Sequence, residues 1–293
     1  MVDSISKAME LARNRNRGHH NAHGVRWPES VVPQHQSAFA QAQPEYDEVE
    51  PEFPELEPAF PDARSVEVTA QTLERNRLIG GLTDQRVIDC YSLLRARLLH
   101  RVRQRDLKTI GVTSPSARDG KTLTATNLAI SVALGGTHSV LLVDADIRRP
   151  SVASLFGLKV SAGLSSYLSG DVQLNEVLLK PPIDNLVILP GNIDPSLRPE
   201  ALSSDRMLEL IAELRARAHG CLVIFDLCPA LVGGDVVTFA PNLDGTLLVV
   251  AEHRTNETAL ERTLPLLEGA NVIGTVLNFA EDVMSSDDYY SGR

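Results

Sequence analysis

Aromatic side chains are scarce in this chain. Phe, Trp and Tyr together make 4% of 293 residues, with a single tryptophan. A core with so few rings has to be filled by aliphatic residues. Cysteine is scarcer still: Cys90, Cys221 and Cys228 show no metal-site spacing, so buried free thiols in a reducing compartment are expected. No apolar run reaches the roughly 18 residues that a membrane span needs, and the opening residues lack the apolar segment of a secretory leader. Positive charge is also in deficit. The formal net charge is −10, and much of it lies in the stretch from Pro44 to Pro58. That balance excludes a nucleic-acid-binding surface.

What is present is unevenly distributed. Residues 3–15 fit a short amphipathic helix with Ile5, Met9 and Ala12 along one side. From about residue 16 to 64 the chain is rich in His, Gln, Pro and Glu and poor in β-branched residues, which predicts disorder. A helix is expected from Leu82 to Arg103, where Val87, Tyr91, Leu94 and Leu98 recur at helical spacing. Strands and helices then alternate to about residue 280, and a polar tail follows at 281–293. One α/β domain with a mostly parallel sheet, covered by helices on both faces, fits this pattern.

Three segments carry the chemistry. Thr113-Ser-Pro-Ser-Ala-Arg-Asp-Gly-Lys121-Thr122 follows a predicted strand and opens a predicted helix. Val140-Leu-Leu-Val-Asp144-Ala-Asp146 and Cys221-Leu-Val-Ile-Phe-Asp226 are apolar runs that end in carboxylates. Ligands of an open parallel sheet bind outside the carboxyl ends of its strands, so Lys121, Asp144, Asp146 and Asp226 are expected to converge. Strand, small-residue loop, Gly-Lys-Thr and helix make a P-loop. Its amides and helix N-terminus face phosphate oxygens, Lys121 reaches the β and γ phosphates, and the Thr122 hydroxyl ligates magnesium. The pattern departs from the usual one at Pro115, where glycine is standard.

From about residue 85 onward the chain resembles the bacterial tyrosine kinases of capsule and exopolysaccharide loci, of cytoplasmic type and with a MinD/ParA-like P-loop fold. The string Asp144-Ala-Asp146-Ile-Arg148-Arg149-Pro150 is the most specific piece. Gly163-Leu-Ser-Ser, Leu202-Ser-Ser-Asp, Asp226-Leu-Cys-Pro229, Asp244-Gly-Thr and Gly274-Thr-Val-Leu-Asn278 continue it. The resemblance implies phosphoryl transfer from MgATP to a tyrosine hydroxyl. ATP would be bound by Ala117, Arg118, Asp119, Gly120, Lys121, Thr122 and Leu123, with Asn278. Magnesium would be held by Thr122, Asp144 and Asp226. Lys121 would act on the phosphates, and Asp146 would orient or deprotonate the phenol. Tyr289 and Tyr290 would be the autophosphorylation sites. The implied setting is the cytoplasm, at the inner face of the plasma membrane, recruited by an adaptor of the polysaccharide co-polymerase type. Self-association of the chain is also implied, although the family's E-x-x-R-x-x-R motif survives only as Asp89 to Arg95.

Two other functions share the motifs. A partitioning or site-selection ATPase would carry a second lysine five residues before Lys121, where this chain has Ser116. A regulator of polysaccharide export that binds nucleotide without kinase activity is the second.

Overall fold

The computed structural model describes residues 59–281, apart from 195, 196, 198, 218 and 219. The expected helix at 3–15, the acidic stretch at 44–58, and Tyr289 and Tyr290 lie outside the described residues.

The elements are β1 (Arg64–Ser65), α1 (Ala70–Arg75), α2 (Gln85–Arg105), β2 (Thr109–Thr113), α3 (Lys121–Leu134), β3 (Ser139–Asp144), α4 (Val152–Leu155), α5 (Leu164–Ser169), α6 (Leu174–Val177), β4 (Leu179–Lys180), β5 (Leu186–Leu189), α7 (Asp205–Arg217), β6 (Cys221–Asp226), α8 (Asp235–Phe239), β7 (Gly245–Ala251), α9 (Glu257–Leu266) and β8 (Val272–Asn278). One eight-stranded sheet takes the order β1-β4-β5-β3-β6-β2-β7-β8. It is parallel except where β4 meets β5. After β2 the chain crosses to β3 on one side and later returns to β7 on the other. The carboxyl end of β2 therefore lies at a topological switch point, where a crevice opens. None of the described helices is long and apolar enough to cross a membrane.

The central strands are buried along their whole length, which explains their unbroken apolar runs. Alternation along β6 divides the core in two. Cys221, Val223 and Phe225 pack against Met207, Leu210, Ile211 and Leu214 of α7. Leu222 and Ile224 face the other way, toward Leu98, Leu99 and Val102 of α2 and Leu128 and Val132 of α3. Burying one such aliphatic side chain stabilises by about 1.5–3 kcal/mol.

Helix α2 begins at Gln85 rather than at the expected Leu82, because Asp84 caps it by accepting a hydrogen bond from the Arg86 N–H at 3.1 Å. A serine cap holds at α7, where Ser204 Oγ accepts from the Met207 N–H at 3.3 Å. Helix α9 runs through Pro265 to Leu266. Cys221 and Cys228 are buried free thiols, as expected, but Cys90 is exposed on α2. It falls on the polar side of a helix whose other face fills the core.

Phe225 is the ring that joins the strand to the segment after it. It packs edge-on against Phe239 of α8, with centroids 5.5 Å apart. Phe225→Ala should lower stability by about 3–5 kcal/mol in urea unfolding. A loss below about 1 kcal/mol would mean that the core collapses around the gap.

Candidate active site

The loop from Ser114 to Gly120 is held from outside by its carbonyls. Ser114 O and Pro115 O accept from the Ala230 and Leu231 N–H groups at 2.8 and 3.2 Å. Ser116 O accepts from the Ser114 hydroxyl at 2.8 Å. Arg118 O accepts from Arg254 Nη1 at 3.3 Å, and Asp119 O accepts from Asn278 Nδ2 at 3.0 Å. Gly120 O takes the first bond of α3, from the Thr124 N–H at 2.9 Å. The buried Asp119 carboxylate accepts from the Ser116 N–H at 2.9 Å, which ties the loop across its middle.

The N–H groups of residues 117 to 122 find no acceptor among the described residues. Six donors in sequence at the start of a fourteen-residue helix form a cradle for an anion. Arg118 and Gly120 sit in the left-handed region, at φ 70° and 89°. A Cβ at 120 would also collide with Asn278 Nδ2, so glycine is required there. Arg118 adopts the same region at a cost of about 1 kcal/mol or more. Pro115 replaces the usual glycine without harm, because its carbonyl does the anchoring and its missing N–H is not one of the six.

Beneath this cradle lie the carboxylates. Asp144 and Asp226 are register partners at the ends of β3 and β6, and both are fully buried. Lys121, the first residue of α3, reaches down between the strands. Its Nζ lies 2.9 Å from Asp146 Oδ2 and 3.3 Å from Asp226 Oδ1. The Thr122 hydroxyl donates to Asp226 Oδ2 at 2.7 Å. Asp144 Oδ2 accepts from the Ser151 and Val152 N–H groups at 2.8 and 2.9 Å, while its buried Oδ1 has no partner among the described residues. Burial would lower the Lys121 pKa, but Asp226 and Asp146 outweigh it and raise it above the usual value. Burial pushes the Asp226 carboxyl up, against Lys121 and the Thr122 hydroxyl. Burial, and then the charge of Asp226, push Asp144 up to about 7.

These residues fit a hydrated divalent cation. Thr122, Asp144 and Asp226 are hard oxygen donors, and one buried carboxylate oxygen is unsatisfied. The described residues contain no cluster of three or more His, Cys, Asp or Glu able to hold a metal alone. Magnesium takes one or two carboxylates and completes its shell with water and phosphate oxygens.

The loop 117–122 with Lys121, the three aspartates and Asn278 gather here, while Leu123, in the first turn of α3, packs its side chain against the core. Asp146 makes no pair with Arg148. Its Oδ1 accepts from the Arg149 N–H at 3.1 Å. Arg148 instead grips Asp235 through two bonds of 2.7 and 3.2 Å, which joins the turn after β3 to the segment after β6. Asp235 and Arg254 escaped the sequence reading. Neither lies in a motif, and only the sheet order brings them to the crevice.

No protein-family model matches the chain. It is 30% identical over 190 residues to the tyrosine-protein kinase YwqD of Bacillus subtilis, covering 64% of this chain and 79% of that protein. It is 25% identical over 203 residues to the putative tyrosine-protein kinase CapB of Staphylococcus aureus, covering 68% and 88%. Among solved structures, the kinase domain of the Escherichia coli tyrosine kinase ETK superposes with a TM-score of 0.62 at 27% identity, over 68% of this chain and 78% of that one.

Asp144 sets a pH dependence. Its pKa of about 7 in the folded state lies above the usual carboxylate value, so the folded protein holds a proton that the unfolded chain has released. Its contribution to stability is therefore largest near pH 4 and falls as pH rises to about 7. Asp144→Asn should gain on the parent protein across that window. The gain should reach on the order of 2 kcal/mol at pH 8 in chemical unfolding without nucleotide. A difference that stays flat with pH would contradict this.

Proposed function

The chain belongs to the bacterial tyrosine-protein kinases, and we propose that its crevice binds MgATP and transfers the γ-phosphoryl group to a tyrosine hydroxyl. The observation that carries this reading is the row of unpartnered N–H groups at 117–122, set directly above Lys121 and the paired Asp144 and Asp226.

Each residue then has a task. The loop amides and the α3 N-terminus bind the phosphates, and Lys121 moves from Asp146 and Asp226 onto the β and γ oxygens. Leu123 continues the first turn of α3, and Asn278, which already fixes the loop through Asp119 O, borders the nucleotide. Thr122, Asp144 and Asp226 would hold the magnesium ion, which when bound would neutralise charge on the phosphates. Departure of Lys121 frees Asp146 Oδ2, the oxygen that Lys121 covers in the present structure. Asp146 then receives the proton of the tyrosine hydroxyl as its oxygen attacks the γ phosphorus. The bond from that phosphorus to the β–γ bridging oxygen breaks, and ADP leaves. The phenol's ordinary pKa is near 10, so a nearby carboxylate both orients it and takes its proton. Alignment and charge compensation supply most of the rate.

Tyr289 and Tyr290 are the acceptors in this reading, presented to a neighbouring copy of the chain. Each phosphate would add about −1.5 to −2 charge beside Asp287 and Asp288 and drive the tail out of an acid-lined site. Alternation between docked and released copies suits control of capsule or exopolysaccharide polymerisation and export. In that setting a membrane adaptor would bring the kinase to the inner face of the plasma membrane.

Phosphotyrosine formation tests the assignment. Lys121→Ala should abolish both nucleotide binding and autophosphorylation, in protein whose far-UV circular dichroism shows that it remains folded. Asp146→Asn should bind MgATP within a few-fold of the parent and lose at least about 100-fold in transfer rate, the lower range for a positioned acid–base group. Mass spectrometry should place phosphate on Tyr289 or Tyr290, and a Tyr289→Phe/Tyr290→Phe variant should lose it. Full activity in Lys121→Ala would overturn the site.

A further inference from the structure

Six non-glycine residues adopt left-handed backbone among the described residues, and three of them surround one guanidinium. Arg118, His253 and Phe279 have φ 70°, 62° and 59°. Between them sits Arg254, on the turn that follows β7. Its Nη1 donates to Arg118 O at 3.3 Å, and its guanidinium lies 4.5 Å from the centroid of the Phe279 ring. Its charge also acts on the buried Asp119 carboxylate, favouring the ionised form against burial. The side chain thus ties the turn after β7 and the end of β8 to the phosphate loop at its most strained residue.

Strain in a loop persists only when its surroundings over-determine it. Arginine gains nothing intrinsically from the left-handed region, whereas glycine enters it freely. For Arg118 the external hold on its carbonyl is the bond from Arg254. That bond also matters to the anion cradle. A peptide plane whose carbonyl points outward to Arg254 turns the N–H of the next residue, Asp119, away from Arg254. The carbonyl of Asp119, held by Asn278, does the same for Gly120.

We propose that Arg254 is a positioning residue for the phosphate loop, holding Arg118 left-handed so that the amides of the loop stay gathered on one side. The proposal rests on the phosphate-binding reading of this loop. Arg254 needs no contact with the nucleotide to act in this way.

A rescue experiment separates this role from general stabilisation. Arg254→Ala, Arg118→Gly and the double variant are compared in two measurements: hydrogen exchange of the Ser116 amide, which the Asp119 carboxylate holds across the loop, in nucleotide-free protein, and affinity for Mg-ADP. Arg254→Ala should speed loop exchange and weaken Mg-ADP binding roughly tenfold, the effect of losing one charge-assisted bond. Adding Arg118→Gly should restore both toward the parent values, since glycine occupies the left-handed region without help. Glycine at 118 cannot replace the contact with Phe279, so recovery assigns the effect to the loop. Parent-like exchange in Arg254→Ala, or a double variant no better than Arg254→Ala, would overturn the proposal. If exchange follows the expected pattern while no variant, nor the parent protein, binds Mg-ADP, the nucleotide reading falls and the positioning role stands.

Discussion

The ammonium of Lys121 among Asp146 and Asp226 is the interaction on which the centre of this protein depends. Parallel pairing of β3 with β6 puts Asp144 and Asp226 side by side at full burial. Two carboxylates so placed lack solvent and crowd negative charge: burial and then Asp226 push Asp144 up, and burial and then Asp146 push Asp226 up. The first residue of α3 offsets that charge by sending a cation down from the loop above. Any ligand that draws Lys121 upward leaves the carboxylates uncompensated and so raises their affinity for another cation. In the proposed reading, phosphate binding and metal binding would be coupled through this one side chain.

The cradle above follows the same economy. Six of its seven carbonyls are held, by Ala230, Leu231, Arg254 and Asn278 from elsewhere in the fold and by the Ser114 hydroxyl and the first turn of α3 locally. What remains is a set of donors with one direction to face. The outer bonds come from the segments after β6 and β7 and from the last residue of β8, so the loop's shape is a property of the whole carboxyl edge of the sheet. A local motif describes the ligand side of this arrangement and says little about its support.

That division explains how much was legible from residues alone. Apolar runs ending in Asp144 and Asp226 announce buried strands whose ends carry charge, and Gly120-Lys121-Thr122 announces the helix start. The site residues were readable because they lie at element ends, where a change from apolar to polar is abrupt. Arg148 with Asp235, and Arg254 with Arg118, were not readable. The partners lie 87 and 136 residues apart in sequence and meet only through strand order. Residues 59–64 were assigned to the disordered stretch and 65–81 to no element, yet Phe60, Leu73, Leu78 and Ile79 are buried; they are spaced too irregularly to announce β1 or α1. The start of α2 was misplaced because Leu82 looks like part of the apolar face, while the cap at Asp84 decides the boundary.

The central claim is that Asp144, raised to about 7 and so partly protonated at neutral pH, waits beside Asp226 for a cation that arrives with phosphates. Calorimetric titration with Mg-ADP at pH 7, repeated in buffers of different ionisation enthalpy, measures it directly. The account predicts net proton release on binding, because a cation beside Asp144 pulls its pKa below about 7, and loss of that release in Asp144→Asn. Binding with no buffer dependence, or equal proton release by the variant, would contradict it.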